Sequence, residues 1–338
     1  SLKMTSLTKK VLAAAIGAAV IAGLAAAPEV AAPKHGLKIA IIPKSINNGY
    51  FTAWNKGAQK ACAEIKATCK YIGPTQATGP AQVAFINQAI QQGYKAIVLS
   101  AADQNALAPT LKKAKARGIC VVTSDADVAG SAARTASVLP ASSDRIGAAE
   151  VDWIAQEIGS KGKVAILSAA ATAANQNAWI EAMKKQISTK YPNISLVGVY
   201  YGDDDATKSA QQFNQILTEH PDIAGIISPT TVGILAAAQE KKSKGSKVAI
   251  TGLGLPSQMK DYVLDGTVKQ FGLWNPIDLG YVGTYAAAEC ASGNLKQQAG
   301  AKLSAGGKTY VQGPNGVIYL GDPFTFNKGN IVSFAKIY

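Results

Sequence analysis

KIAIIP, residues 38–43, is a short and almost continuous apolar run, and residues 50–66 behind it carry the spacing of a helix. The pattern then repeats. A strand near 69–72 precedes a helix over 80–92, KAIVLS (95–100) precedes a helix over 106–117, and ICVVTS (119–124) follows. Apolar strands of five or six residues alternating with helices predict a parallel sheet covered by helices on both faces. Gly93 and Gly118 each stand where a helix must end just before a strand.

A second series starts after SVLPASSD (137–144). Helix 144–158, KVAILS (163–168), helix 175–189 and SLVGVYY (195–201) lead to helix 206–219 and IAGIIS (223–228). Helix 231–240, KVAITG (247–252), helix 256–265 and TVKQFGLW (267–274) complete it, and a last large helix is expected over 278–291. Less regular strands are expected near 309–311 and 316–320. The fold class is therefore α/β, with two doubly wound parallel-sheet lobes in tandem.

Composition agrees. The chain has 338 residues, 48% hydrophobic and 16% charged, with 32 Gly and 14 Pro, which excludes disorder, collagen and coiled coil. Lys9 and Lys10 precede an apolar run over 11–24 and the small residues Ala25, Ala26 and Ala27, so residues 1–27 read as a secretory signal rather than a membrane span. Met4 is the expected natural start, Pro28 and Pro33 leave the cut site open, and no Cys at the exit suggests a lipid anchor. No later segment is long and apolar enough to cross a bilayer. An exported, soluble protein of the periplasm is expected.

The formal net charge is +13, and basic residues cluster in KKAKAR (112–117) and KKSKGSK (241–247). Each cluster closes a helix ahead of a strand, where cations suit the helix dipole and a solvated face, so no nucleic-acid partner is expected. The four Cys contain no Cys-x-x-Cys, and with two His they make a poor metal supply. Cys62 and Cys69 face each other across a helix-to-strand turn, where a structural bridge and two free thiols are both open readings. Cys120 and Cys290 read as small core residues.

Catalytic signatures fail. There is no G-x-x-x-x-G-K-[ST], no G-x-S-x-G and no H-E-x-x-H, and a proline interrupts the glycine run that starts at Gly252. His35 and His220 are not placed as bases. Asp203, Asp204 and Asp205 precede a helix and read as its cap, without the spacing of a calcium loop. No catalytic residue, metal or cofactor is expected, and the chain reads as a non-enzyme. What remains is the set of strand ends, where ligands of open parallel sheets sit: Pro43-Lys44-Ser45, Ser100, Ser124-Asp125, Ser168, Ser228-Pro229-Thr230-Thr231 and Trp274-Asn275. Hydroxyls, amides, a carboxylate and an amine, with Tyr50, Phe51, Trp54 and Trp274 close behind, suit a neutral polyhydroxy ligand.

The opening IAIIPKSINNGYFTAWNKGAQKA, the turn VVTSDAD, the stretch ATAANQNAW, the strand end IISPTTVGILAAAQ and VKQFGLWNPIDLGY together resemble the periplasmic sugar-binding proteins of ABC transporters. The similarity is to the ribose-binding type, within its rhamnose-binding and autoinducer-2-binding subgroup. It implies periplasmic binding protein type I architecture, with three passages between lobes near 126–140, 274–277 and 300–310. The N-terminal lobe would be 37–127 and 276–302, and the C-terminal lobe 138–274 and 306–338. The ligand-binding set would be Lys44, Asn48, Phe51, Asp125, Asn175, Gln176, Pro229, Thr231, Trp274, Asn275 and Asp278.

Asn175 stands where autoinducer-binding members carry Asp, and Thr231 where they carry Ala, so a rhamnose-like deoxy sugar or small polyol is favoured over autoinducer-2. Asn175 and Thr231 could instead cap the helices behind them, and Phe51 and Trp274 could be core. Of Asn275 and Asp278, one is expected to touch ligand and the other to cap. Trp54, Trp153 and Trp179, on helices, read as core. The implied partners are a sugar, the transporter's permease and a chemoreceptor, for a monomer that closes by a hinge.

Overall fold

A computed structural model describes residues 36–338; the expected export segment, residues 1–27, lies outside them. The chain runs β1 (Lys38–Ile42), α1 (Gly49–Ile65), β2 (Thr68–Tyr71), α2 (Gly79–Gln91), β3 (Ala96–Leu99), α3 (Ala108–Ala116), β4 (Cys120–Ser124) and β5 (Ala136–Leu139). It continues α4 (Ser143–Ile158), β6 (Gly162–Ser168), α5 (Ala174–Lys190), β7 (Ile194–Tyr201), α6 (Ala206–Glu219), β8 (Gly225–Ser228), α7 (Thr231–Lys244), β9 (Ala249–Gly252), α8 (Pro256–Leu264) and β10 (Phe271–Leu273). Then come α9 (Pro276–Ala291), β11 (Lys302–Ala305), β12 (Lys308–Val311), β13 (Val317–Tyr319), β14 (Phe324–Phe326) and α10 (Ile331–Ala335).

The first sheet has the order β13-β5-β4-β3-β1-β2, with every pairing parallel. The second has the order β7-β6-β8-β9, also parallel. A single bridge from Leu253 to Gly272 hands β9 on to β10, which pairs antiparallel with β14. Central strands are apolar on both faces because helices cover both: Ile39, Ala40, Ile41 and Ile42 are all fully buried. Gly93 and Gly118 adopt the left-handed φ their helix-ending positions demand.

Helix α9 returns from the second lobe to lie on the first sheet and against α1. The two helices touch at reciprocal glycines. A Cβ on Gly57 would stand 1.8 Å from the Ile277 carbonyl oxygen, and one on Gly280 would stand 1.9 Å from that of Trp54. The close crossing buries the Trp54 ring, whose Nε1–H donates to Ser124 Oγ at 3.0 Å.

Several expectations need correction. Strands Ala136–Leu139 and Val317–Tyr319 belong to the first sheet, although the expected C-terminal lobe began at 138 and 306. Each is three or four residues long and follows the preceding strand in the chain with no α-helix between them to mark a βα unit. The third passage between sheets accordingly falls at 320–323, after β13, rather than near 300–310, where β11 and β12 form a hairpin. Strand β10 covers three residues of the eight expected over 267–274, because Val268 N–H turns back to the Tyr262 carbonyl.

Cys120 and Cys290 are not lone core residues but a disulfide, joining the start of β4 to the last turn of α9. Nothing local advertised it, since the partners are 170 residues apart. Cys62 and Cys69 are bridged as well.

Candidate ligand-binding site

The carboxyl ends of both sheets open onto one cleft of about 340 Å³. From the first lobe it is lined by Lys44, Asn48, Tyr50, Phe51 and Asp125, and from the second by Asn175, Gln176, Trp179, Asp204, Pro229, Thr230, Thr231, Leu253 and Leu273. Trp274, on the passage between them, closes the back.

The first-lobe wall is assembled by hydrogen bonds between strand ends. Gln82, fully buried on α2, donates to the carbonyls of Pro43 (2.9 Å) and Ser100 (2.7 Å), and its Oε1 accepts from Ala102 N–H (2.8 Å). That one amide locks the ends of β1 and β3 together. Asn48 turns out to cap α1, its Oδ1 accepting from Tyr50 N–H at 2.9 Å while the residue still borders the cleft.

Asp125, directly after β4, is in a left-handed conformation, φ 78°, and lines the cleft. Ser100 Oγ donates to Asp125 Oδ2 at 2.8 Å, Tyr50 OH donates to Oδ1 at 2.5 Å, and Trp274 Nε1–H donates to the Tyr50 oxygen at 2.7 Å. Burial pushes the Asp125 carboxyl up, and the Lys44 charge with the Tyr50 and Ser100 hydroxyls pull against it. Burial, and then the Asp125 charge, drive the Tyr50 hydroxyl well above its ordinary range, so it stays protonated.

Lys44 is nearly fully buried and reaches across to the other lobe, donating to Asn175 Oδ1 (3.0 Å) and Gln176 Oε1 (3.3 Å). Asn175 therefore does not cap α5, whose cap position is Ala173. Thr231 is the first residue of α7, with Thr230 in the cap position. Gln176 Nε2–H donates weakly to the Pro229 carbonyl at 3.4 Å. The rings of Tyr50, Phe51 and Trp54 meet edge to face at 5.1 and 5.5 Å, and those of Trp179 and Trp274 lie 5.6 Å apart.

Nine of the eleven expected residues come together: Lys44, Asn48, Phe51, Asp125, Asn175, Gln176, Pro229, Thr231 and Trp274. Asn275 and Asp278 do not. Asn275 Oδ1 accepts from Ile277 N–H and caps α9, and both residues face a separate depression with Pro140, Leu320 and Phe324. Two lining residues had been read differently. Trp179, expected in the core, lines the cleft through the ring edge it leaves beside Trp274. Of the Asp triplet, Asp205 is the cap of α6, whereas Asp204 turns into the cleft and accepts from the Thr230 hydroxyl. Gln82 carried no signal in the sequence, because a buried glutamine on a helix has no distinctive spacing.

Residues 39–295 match the family model described as periplasmic binding protein domain. Among solved structures, an ABC transporter solute-binding protein from Clostridium phytofermentas with bound L-rhamnose is 38% identical. It superposes with a TM-score of 0.86 over 90% of this chain and 99% of that one. LsrB from Clostridium saccharobutylicum in complex with AI-2 is 32% identical, with a TM-score of 0.84 over 88% of this chain and 99% of that one. The ribose import binding protein RbsB of Bacillus subtilis is 26% identical over 285 residues, 81% of this chain and 88% of that protein. The chain belongs to the periplasmic binding protein family, in the class of ABC-transporter solute-binding proteins for sugars.

Proposed function

We propose that the cleft captures a 6-deoxyhexose of the rhamnose type, and that closure of the lobes around it presents the loaded form to a membrane permease. The observation that carries this is the mixed lining of the cleft, charged and amide groups together with apolar side chains. The lining includes an acceptor-only carboxylate, Asp125, and a donor-only ammonium, Lys44, which donates to the amides of Asn175 and Gln176. Leu253, Leu273 and Trp179 add apolar surface. A 6-deoxyhexose presents both kinds of group: several hydroxyls, and a methyl where other hexoses carry a hydroxymethyl. The passages at 140–142, 274–275 and 320–323 would act as the hinge.

Autoinducer-2 is the second reading. It is supported by the likeness to the AI-2-bound LsrB and by Lys44, Asp125, Gln176 and Pro229, and it is opposed by Asn175 and Thr231.

Thermal unfolding against a panel of rhamnose, fucose, ribose, arabinose, xylose, ribitol and autoinducer-2 tests both readings. Ligand at 100 times its Kd adds about 2.7 kcal/mol. A shift with rhamnose alone is the expected result, and a shift with autoinducer-2 alone would overturn it.

A further inference from the structure

One group in the cleft is not used by the sugar-binding reading: the hydroxyl of Tyr50. Its phenol stands between an indole and a carboxylate, 2.7 Å from Trp274 Nε1 and 2.5 Å from Asp125 Oδ1. The sense of both bonds is forced. An indole N–H only donates and a carboxylate only accepts, so the phenol must accept from one and donate to the other. Tyr50 is buried, and its ring is fixed edge to face against Phe51. Trp274 in turn lies against Trp179 of α5, in the other lobe. A continuous line of contacts thus runs from α5 in the second lobe, through the passage between lobes, to the carboxylate of the first. Phenylalanine at position 50 would keep the ring packing and break that line.

We propose that Tyr50 is a positioning residue for the sugar: its hydroxyl holds Asp125 as an acceptor-only carboxylate in one orientation and links that orientation to Trp274. The proposal deepens the sugar-binding reading of the cleft and rests on it. With Tyr50 and Ser100 each occupying one lone-pair site, about two remain free on Asp125. They can be matched only by donors, which selects a ligand presenting hydroxyls at that edge.

The charged and titratable groups acting on Asp125 are Lys44 from the loop after β1, Tyr50 from α1 and Asp204 from the loop after β7; Tyr338 acts on Tyr50. Lys44, Tyr50 and Ser100 favour the ionised carboxyl, while burial and Asp204 oppose it. Without the phenol, Asp125 keeps its proton to higher pH, and a protonated carboxyl no longer offers the ligand acceptors alone.

The test is Tyr50→Phe, examined by calorimetric titration with L-rhamnose across a pH series and by carbon NMR titration of the Asp125 carboxyl in the ligand-free protein. The expected results are affinity about tenfold weaker at neutral pH, the scale of one hydrogen bond to a charged group, an acid-side loss of binding that sets in at higher pH than in the wild type, and a raised Asp125 midpoint. Trp274→Phe, which removes the donor to the phenol, should move the midpoint the same way by less. Unchanged affinity, pH profile and midpoint in Tyr50→Phe would overturn the proposal. So would a weakening equal at all pH values with an unmoved midpoint, which would leave the residue a packing role only. A wild type that ignores L-rhamnose while the Asp125 midpoint still rises in Tyr50→Phe supports the positioning role and breaks the rhamnose reading instead.

Discussion

The two walls of the cleft are built on opposite plans. On the first-lobe side almost every polar group is committed: Asp125 to Tyr50 and Ser100, Tyr50 to Trp274, and Ser124 between the Trp54 indole and the Leu279 carbonyl. On the second-lobe side the groups are loosely held. Within its own lobe Gln176 has one long bond, to Pro229, and the Asn175 amide nitrogen has no partner among the described residues. Both amide oxygens accept from Lys44 of the other lobe, and Thr230 with Asp204 is the pair this wall holds by itself. A committed wall arrives with its orientation already fixed, so little ordering remains to be done on binding. A loosely held wall can re-aim its amides. The first should set how tightly a hydroxyl edge is held, and the second which sugar is preferred.

Asp125→Ala tests the committed wall most severely. It removes the acceptor and strands the buried Tyr50 and Ser100 hydroxyls, so affinity for the panel sugar should fall by about 3 kcal/mol, roughly a hundredfold, by calorimetry. A loss below fivefold would show that the wall is not where binding is anchored. Lys44→Met comes next, because Lys44 donates to two side chains of the second wall, Asn175 and Gln176. We expect a loss of roughly thirtyfold, about 2 kcal/mol, and a larger radius of gyration of the ligand-free protein by X-ray scattering. An unchanged radius would mean that this contact does not hold the lobes together.

The loose wall predicts a change of ratio instead. Asn175→Asp combined with Thr231→Ala should raise the preference for autoinducer-2 over rhamnose by about tenfold, on the scale of one re-paired hydrogen bond. Equal losses for both ligands would erase the distinction between the walls.

The same contrast appears in two fully buried carboxyls. Asp125 is surrounded by donors, whereas Glu150 on α4 has no partner for either oxygen among the described residues. Burial pushes the Glu150 carboxyl well above its ordinary value. The stability this acid contributes is complete below its unfolded pKa of about 4.3 and declines as pH rises toward the raised value. Glu150→Gln, which cannot ionise, should therefore be more stable than the wild type at pH 8 by on the order of 1 kcal/mol and should match it near pH 4. A destabilised Glu150→Gln at pH 8 would point to a donor beside the carboxylate.

Most of the fold was legible because a buried parallel sheet writes itself as apolar runs at regular intervals, and nearly all the expected strands and helices stand within a few residues of their places. Lys44, Asp125 and Pro229 were legible for a related reason: strand ends are easy to locate and they converge on ligands. Trp179 was not, since a tryptophan on a helix has the same spacing whether its ring meets core or cleft. Asp204 was hidden between two aspartates with ordinary surface work, Asp205 capping a helix and Asp203 pairing with Lys208. Strand β5 was too short to show a period. Asn275 and Asp278 were misplaced because the start of α9 is near the cleft in sequence but faces away from it once Asn275 folds over its own helix.

The Cys120–Cys290 bridge encloses the second lobe's elements from α4 to β10 in a covalent ring, while β14 and α10 of that lobe lie outside it. Its absence would release the largest chain loop in the molecule, at a cost of about 5 kcal/mol on loop-entropy grounds. A ring also has no ends to lose. A protease that nicks a surface loop between the two cysteines leaves two polypeptides still joined through β4 and α9, and a single band on a non-reducing gel. A lobe threaded through such a ring stays tethered after its chain is cut there.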